Sequence, residues 1–122
     1  MIWRKPEVEL EVYVDRILVR DRESLATVDL RAEYRFSYGG TLIGDLGTFE
    51  YAVHAALGKL YPTRHLLTYP VVHVTRVESA IAPIERYALE RSVLAAGSSK
   101  VLIPETEYFG RFNLQSMTSS EA

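Results

Sequence analysis

The chain has 122 residues, 48% of them hydrophobic and 25% charged, with a net charge of −2 and no cysteine. That is the size and apolar content of one compact domain, 1–122, built on a single core. The charge balance gives no electrostatic reason to expect a nucleic-acid partner, and the lack of cysteine excludes a disulfide framework, a thiolate zinc site and a cysteine nucleophile.

At the N-terminus, Glu7, Glu9 and Glu11 break any apolar stretch that could serve as a secretion signal. No apolar run reaches the length of a membrane span. A cytoplasmic location is therefore expected.

Residues 8–14 (VELEVYV) alternate apolar and polar, placing Val8, Leu10, Val12 and Val14 on one face of a first strand. Asp15 and Arg16 interrupt, and 17–20 (ILVR) start a second strand. A turn at 21–24 (DRES) leads to a third, whose alternation through Val28, Leu30, Ala32, Tyr34 and Phe36 completes an antiparallel meander ended by 37–40 (SYGG). From Leu46 the period changes: Leu46, Phe49, Val53, Ala56, Leu57 and Leu60 recur at three- and four-residue spacing, the stripe of a helix lying on a sheet, with Asp45 placed to cap it.

After 61–63 (YPT), the segment 65–77 is rich in Val and Leu, and Pro70 puts the regular part of that fourth strand on its C-terminal side. Pro83 suits a first helical turn. Ile84, Ala88, Val93 and Ala96 give the second helix a buried face, and Gly97 closes it in a left-handed conformation. A short apolar strand at 100–104 follows, and the small polar residues of 113–122 read as a frayed tail. The order β-β-β-α-β-α-β predicts an α/β fold with a mixed sheet.

The segment 84–105 (IERYALERSVLAAGSSKVLIPE) resembles the bacterial actin family of MreB, in which a Glu-Arg-Arg-Ala helix ends in an Ala-Gly-Ala turn and a strand closes in Ile-Glu-Glu-Pro. Glu85, Arg86 and Ala88 match the helix, Ala96 and Gly97 the turn, Val101 and Ile103 the strand, and Glu105 the acid after it. Residues 41–53 (TLIGDLGTFEYAV) resemble the family's Gly-Val-Ile-Ala-Asp segment, with Asp45 and Glu50 on matching acids. The likeness runs from the first strand to Glu105, and the helix-turn-strand segment is its specific part. It implies the first subdomain of the actin fold, of ribonuclease-H-like topology, with a connection to cell shape and the cytoskeleton.

The stretch 43–48 (IGDLGT) has the look of a phosphate-gripping turn, but in the actin fold such a turn lies between the first two strands. Here it precedes residues with helical spacing and reads as a helix cap. The true first hairpin turn, near Asp15 and Arg16, contains no glycine and suits phosphate poorly. The chain also ends before the family's second phosphate loop and adenine-binding segment, so no nucleotide and no other cofactor is expected, and Glu105 has no phosphate to act upon.

The ribonuclease-H topology raises an alternative, a metal-dependent phosphodiesterase. Its metals would need converging carboxylates, for which Asp15, Asp29 and Glu50 are the nearest candidates. The fourth strand, however, contains no acid. His54, His65 and His73 are too scattered for a metal site, and His73 reads as a hydrogen-bonded structural residue. Ser92, Ser98 and Ser99 lack the context of a hydrolase nucleophile.

The eight tyrosines suit either half-buried packing or an interface. At the C-terminal end, Tyr108, Phe109 and Phe112 stand where the actin family has a small-residue helix, and they are the candidate partner-binding patch. The resulting expectation is a non-catalytic protein-binding or assembly module that dimerises or docks a protein partner and binds no nucleic acid.

Overall fold

The computed structural model describes residues 5–62, 69–79 and 81–104. Among the described residues, seven elements follow one another: β1 (Glu7–Tyr13), β2 (Arg16–Asp21), β3 (Thr27–Arg31), α1 (Leu46–Leu60), β4 (Val71–Val77), α2 (Pro83–Ala95) and β5 (Lys100–Leu102). The strands form one sheet in the order β3-β2-β1-β4-β5. β1, β2 and β3 are an antiparallel meander, while β4 runs parallel to β1 and β5 parallel to β4. Element order and mixed sheet are those expected from the periodicities.

Alternation sorts the sheet into two unlike faces. Val8, Leu10 and Val12 of β1, Ile17 and Val19 of β2, and Val72, Val74 and Val77 of β4 point to one side and are buried with Phe49, Val53 and Leu57 of α1 and Leu89 and Val93 of α2. Both helices therefore lie on the same face and enclose a single core. A bulge keeps this face continuous: after Leu10 pairs with Val74, Glu11 pairs with Arg76, so Thr75 is the extra residue and Val77 returns to the inner side.

The opposite face carries interleaved charge. Glu7 contacts Arg22 and His73, Glu9 contacts Arg20 and Arg22, and Arg16 holds both carboxylate oxygens of Asp29 at 2.9 Å. These pairs are partly exposed, so each contributes little to stability, and their effect is to make this face polar.

Several sequence expectations shift in detail. β3 stops at Arg31 instead of reaching Phe36, because among the described residues β3 has one neighbour and β2 begins only at Arg16. Ala32 donates the last rung to the Asp15 carbonyl, after which Tyr34 turns outward and is 64% exposed. Phe36 is buried all the same, meeting Phe49 edge to face at 5.1 Å between ring centroids. Val14 belongs to the two-residue turn between β1 and β2 rather than to the inner face, and is 52% exposed. Leu46, at the first position of α1, is also exposed.

Ile84, at the exposed start of α2, is 73% accessible; the buried face of that helix is Leu89, Ser92 and Val93, continued by Ala96. The helix ends are as expected. The Asp45 carboxylate accepts from the Thr48 amide, Pro83 opens α2, and Gly97 closes it with a φ of 121°. After β5, the Arg86 guanidinium donates to the carbonyls of Ile103 (2.7 Å) and Pro104 (2.9 Å), fastening the chain to α2.

Candidate functional site

In an open α/β sheet, ligands collect beyond the carboxyl ends of parallel strands at the point where the chain's connections diverge to the two sides. Here that point lies between β1 and β4: β1 continues to β2 on one side, and β4 pairs with it on the other. Beyond these strand ends lies a shallow groove of about 190 Å³ lined by Val14, Arg35, Ser37, Tyr38, Thr41 and Ser79. A hairpin forms one wall. Tyr38 and Thr41 exchange backbone hydrogen bonds of 3.0 and 2.7 Å across Gly39 and Gly40, whose φ values of 51° and 82° give a tight turn that side-chain-bearing residues adopt with difficulty.

Two of the protein's own carboxylates occupy the amide groups of this corner. Both Phe36 (2.8 Å) and Ser37 (2.9 Å) donate their N–H to the same oxygen, Oδ1 of Asp15, and Val14 donates its N–H to Oε1 of Glu78 (2.8 Å). The Ser37 hydroxyl accepts from the Asp15 N–H at 3.3 Å and donates to the Leu42 carbonyl at 2.6 Å. Asp15 itself has φ 52°, a conformation that Asp and Asn tolerate better than most residues.

Burial pushes the Asp15 carboxyl upward. The amides of Ser37 and Phe36, the Arg35 guanidinium 3.6 Å away and the Ser37 hydroxyl outweigh it and hold the group below its ordinary value. Asp15 is thus a bound anion supplied by the chain. Arg35 lies over the Tyr38 ring at 5.5 Å and also reaches the Ser37 carbonyl. With Asp15 and Glu78 already charged and bonded here, a polyphosphate would meet two fixed negative charges and amides that are already satisfied.

The carboxylates proposed for metal chemistry do not converge. Asp15 is engaged at the hairpin, Asp29 is paired with Arg16 on the outer face of the sheet, and Glu50 stands on α1 beside a groove it shares with Tyr51, His54 and Ala96. Among the described residues, no group of three or more His, Cys, Asp or Glu could hold a metal ion. His54 Nδ1 lies 3.0 Å from the Ala96 carbonyl, and His73 Nε2 meets Glu7 at 2.7 Å, the structural hydrogen bond anticipated for it. The hydroxyls of Ser98 and Ser99 donate to the carbonyls of Val93 and Pro70.

His65 and the patch of Tyr108, Phe109 and Phe112 lie outside the described residues. Of the other tyrosines, Tyr34, Tyr38, Tyr51, Tyr69 and Tyr87 are 48–64% exposed. Tyr34 and Tyr51 border a further groove, of about 210 Å³, between β3 and α1. Arg35, Glu78 and this groove carried no sequence signal, because each depends on segments far apart in the chain coming together. No described helix is long and apolar enough to cross a membrane. No protein-family model matches the chain, and no curated protein matches it.

Proposed function

We propose that this chain is a nucleotide-free relative of the first MreB subdomain that serves as a protein-binding or assembly module. The observation that carries this reading is the pair of internal carboxylates at the hairpin corner, where an actin-type ATPase would need free amides for phosphate. Strand order β3-β2-β1-β4-β5, with an antiparallel meander and both helices on one face, supports the ribonuclease-H-like, actin-type reading of the fold.

Protein binding is favoured by the exposed tyrosines and by the candidate patch of Tyr108, Phe109 and Phe112. A role connected with cell shape rests on the resemblance alone. The test is a pull-down from the native host with the full chain as bait. Recovery of MreB or its associated shape proteins, lost when Tyr108, Phe109 and Phe112 are changed together to Ser, is the expected result. Failure to recover them under conditions that retain weak partners would remove the cytoskeletal role.

A further inference from the structure

We propose that β3 is a self-association edge, pairing antiparallel with β3 of a second copy so that two sheets join into one. This rests on the assembly reading and names the partner and the surface. β3 is the outer strand of the sheet on the meander side, and among the described residues nothing pairs with its free edge.

The direction of its free groups follows from the rungs at its two ends. Asp21 donates to the Ala26 carbonyl and Ala32 donates to the Asp15 carbonyl, so by alternation Val28 and Leu30 bond to β2. The N–H and C=O groups of Thr27, Asp29 and Arg31 consequently point outward. The opposite edge is less open, because the chain beyond β5 has its Ile103 and Pro104 carbonyls engaged by Arg86.

Charge complementarity selects a second copy as the occupant. Charged edge residues commonly prevent strand pairing, but here their signs alternate, with Asp29, which its own chain's Arg16 already contacts, and Arg31 two positions apart on the polar face. In an antiparallel pairing centred on Leu30, Asp29 lies opposite Arg31 of the second copy, and Arg31 opposite its Asp29. Those are positions whose outward amides exchange hydrogen bonds.

Arg31 has no acidic partner among the described residues, whereas Arg16, Arg20 and Arg22 of the same face each have one. On the helix side the same register sets Leu30 against Leu30 of the second copy. This contact adjoins the groove formed by Ala32, Tyr34, Tyr51, Ala52 and Ala55. A single short strand with these flanking side chains is a small interface, so the dimer is of the weak, concentration-dependent kind.

Sedimentation velocity on the full chain from roughly 1 μM to several hundred μM reads this directly. The expected result is a reversible monomer–dimer equilibrium. Arg31→Asp and Asp29→Arg, each placing like charges opposite one another, are expected to weaken the homodimer at least about tenfold. An equimolar mixture of the two restores opposite charges at both positions and is expected to regain a dimer. Far-ultraviolet circular dichroism confirms that both variants are folded.

A wild type that stays monomeric throughout the range would overturn the proposal, as would a charge variant that associates as well as wild type or a mixture that fails to associate. If dimerisation instead disappears on changing Tyr108, Phe109 and Phe112 together to Ser and survives both charge variants, β3 is excluded while the assembly reading stands.

Discussion

Replacing Asp15 tests how the hairpin corner is held. Its side chain is 17% exposed, and one oxygen, Oδ1, receives both the Phe36 and the Ser37 amides. Alanine would leave both donors without this acceptor at a place where Phe36 is fully buried and Ser37 is 6% exposed. Each donor left unsatisfied costs about 1–3 kcal/mol, with the lower end applying where water can reach the loop. Alanine at φ 52° adds roughly 1 kcal/mol of backbone strain. The expected loss for Asp15→Ala is therefore about 3 kcal/mol, a large part of the stability of an ordinary domain.

Asparagine separates geometry from charge. It keeps Oδ1 as acceptor for both amides and tolerates the same φ, so Asp15→Asn should lose only about 1 kcal/mol. Urea unfolding followed by circular dichroism measures both variants. With a denaturant slope of about 2 kcal/mol/M, the alanine midpoint should fall by about 1.5 M and the asparagine midpoint by about 0.5 M. A loss under about 0.5 kcal/mol for alanine, or equal losses for the two variants, would refute the proposed role of the carboxylate oxygen.

Three further outcomes are expected. Burial raises the carboxyls of Asp15 and Asp21, but amide and hydroxyl hydrogen bonds, from Tyr61 first in the case of Asp21, bring both below their ordinary values. Their stabilisation is therefore complete above the unfolded-state pKa of about 4 and is lost as pH falls through the folded values; acid unfolding of wild type should show that slope and Asp15→Asn a shallower one. Arg86→Ala removes the fork on Ile103 and Pro104 and should cost about 1–2 kcal/mol in urea unfolding, with faster hydrogen exchange in β5. Val12→Ala, at a fully buried position, should cost about 2 kcal/mol, whereas Val14→Ala, in the exposed turn, should stay within about 0.5 kcal/mol.

Periodicity made the architecture legible wherever one strand or helix face meets the core. Val8, Leu10 and Val12 alternate because one side of β1 is dry, and Phe49, Val53 and Leu57 repeat because one side of α1 is. It failed at element ends. Val14 continues the alternation of β1 yet sits in a turn, and Tyr34 continues that of β3 yet has no β2 residue to pair with. A side-chain pattern does not record where the partner strand stops. Ile84 misled for a related reason: a helix's first turn can extend beyond the sheet it packs on.

The corner was half legible. The absence of glycine at the first hairpin turn pointed away from phosphate, but not to Asp15 capturing amides 21 and 22 residues away, or to Glu78 reaching Val14 across 64 residues. Such long-range side-chain bonds follow from the folded topology and leave no spacing in the sequence. The free edge of β3 was hidden for the same reason, since which strand ends up outermost is a property of the assembled sheet.

Calorimetric titration of Mg-ATP into the full chain most directly tests the central claim, that the chain's own carboxylates fill the corner where a nucleotide would bind. With nucleotide up to roughly 2 mM, no saturable heat is predicted. A saturable isotherm with a dissociation constant below about 100 μM, weakened by Arg35→Ala, would contradict it.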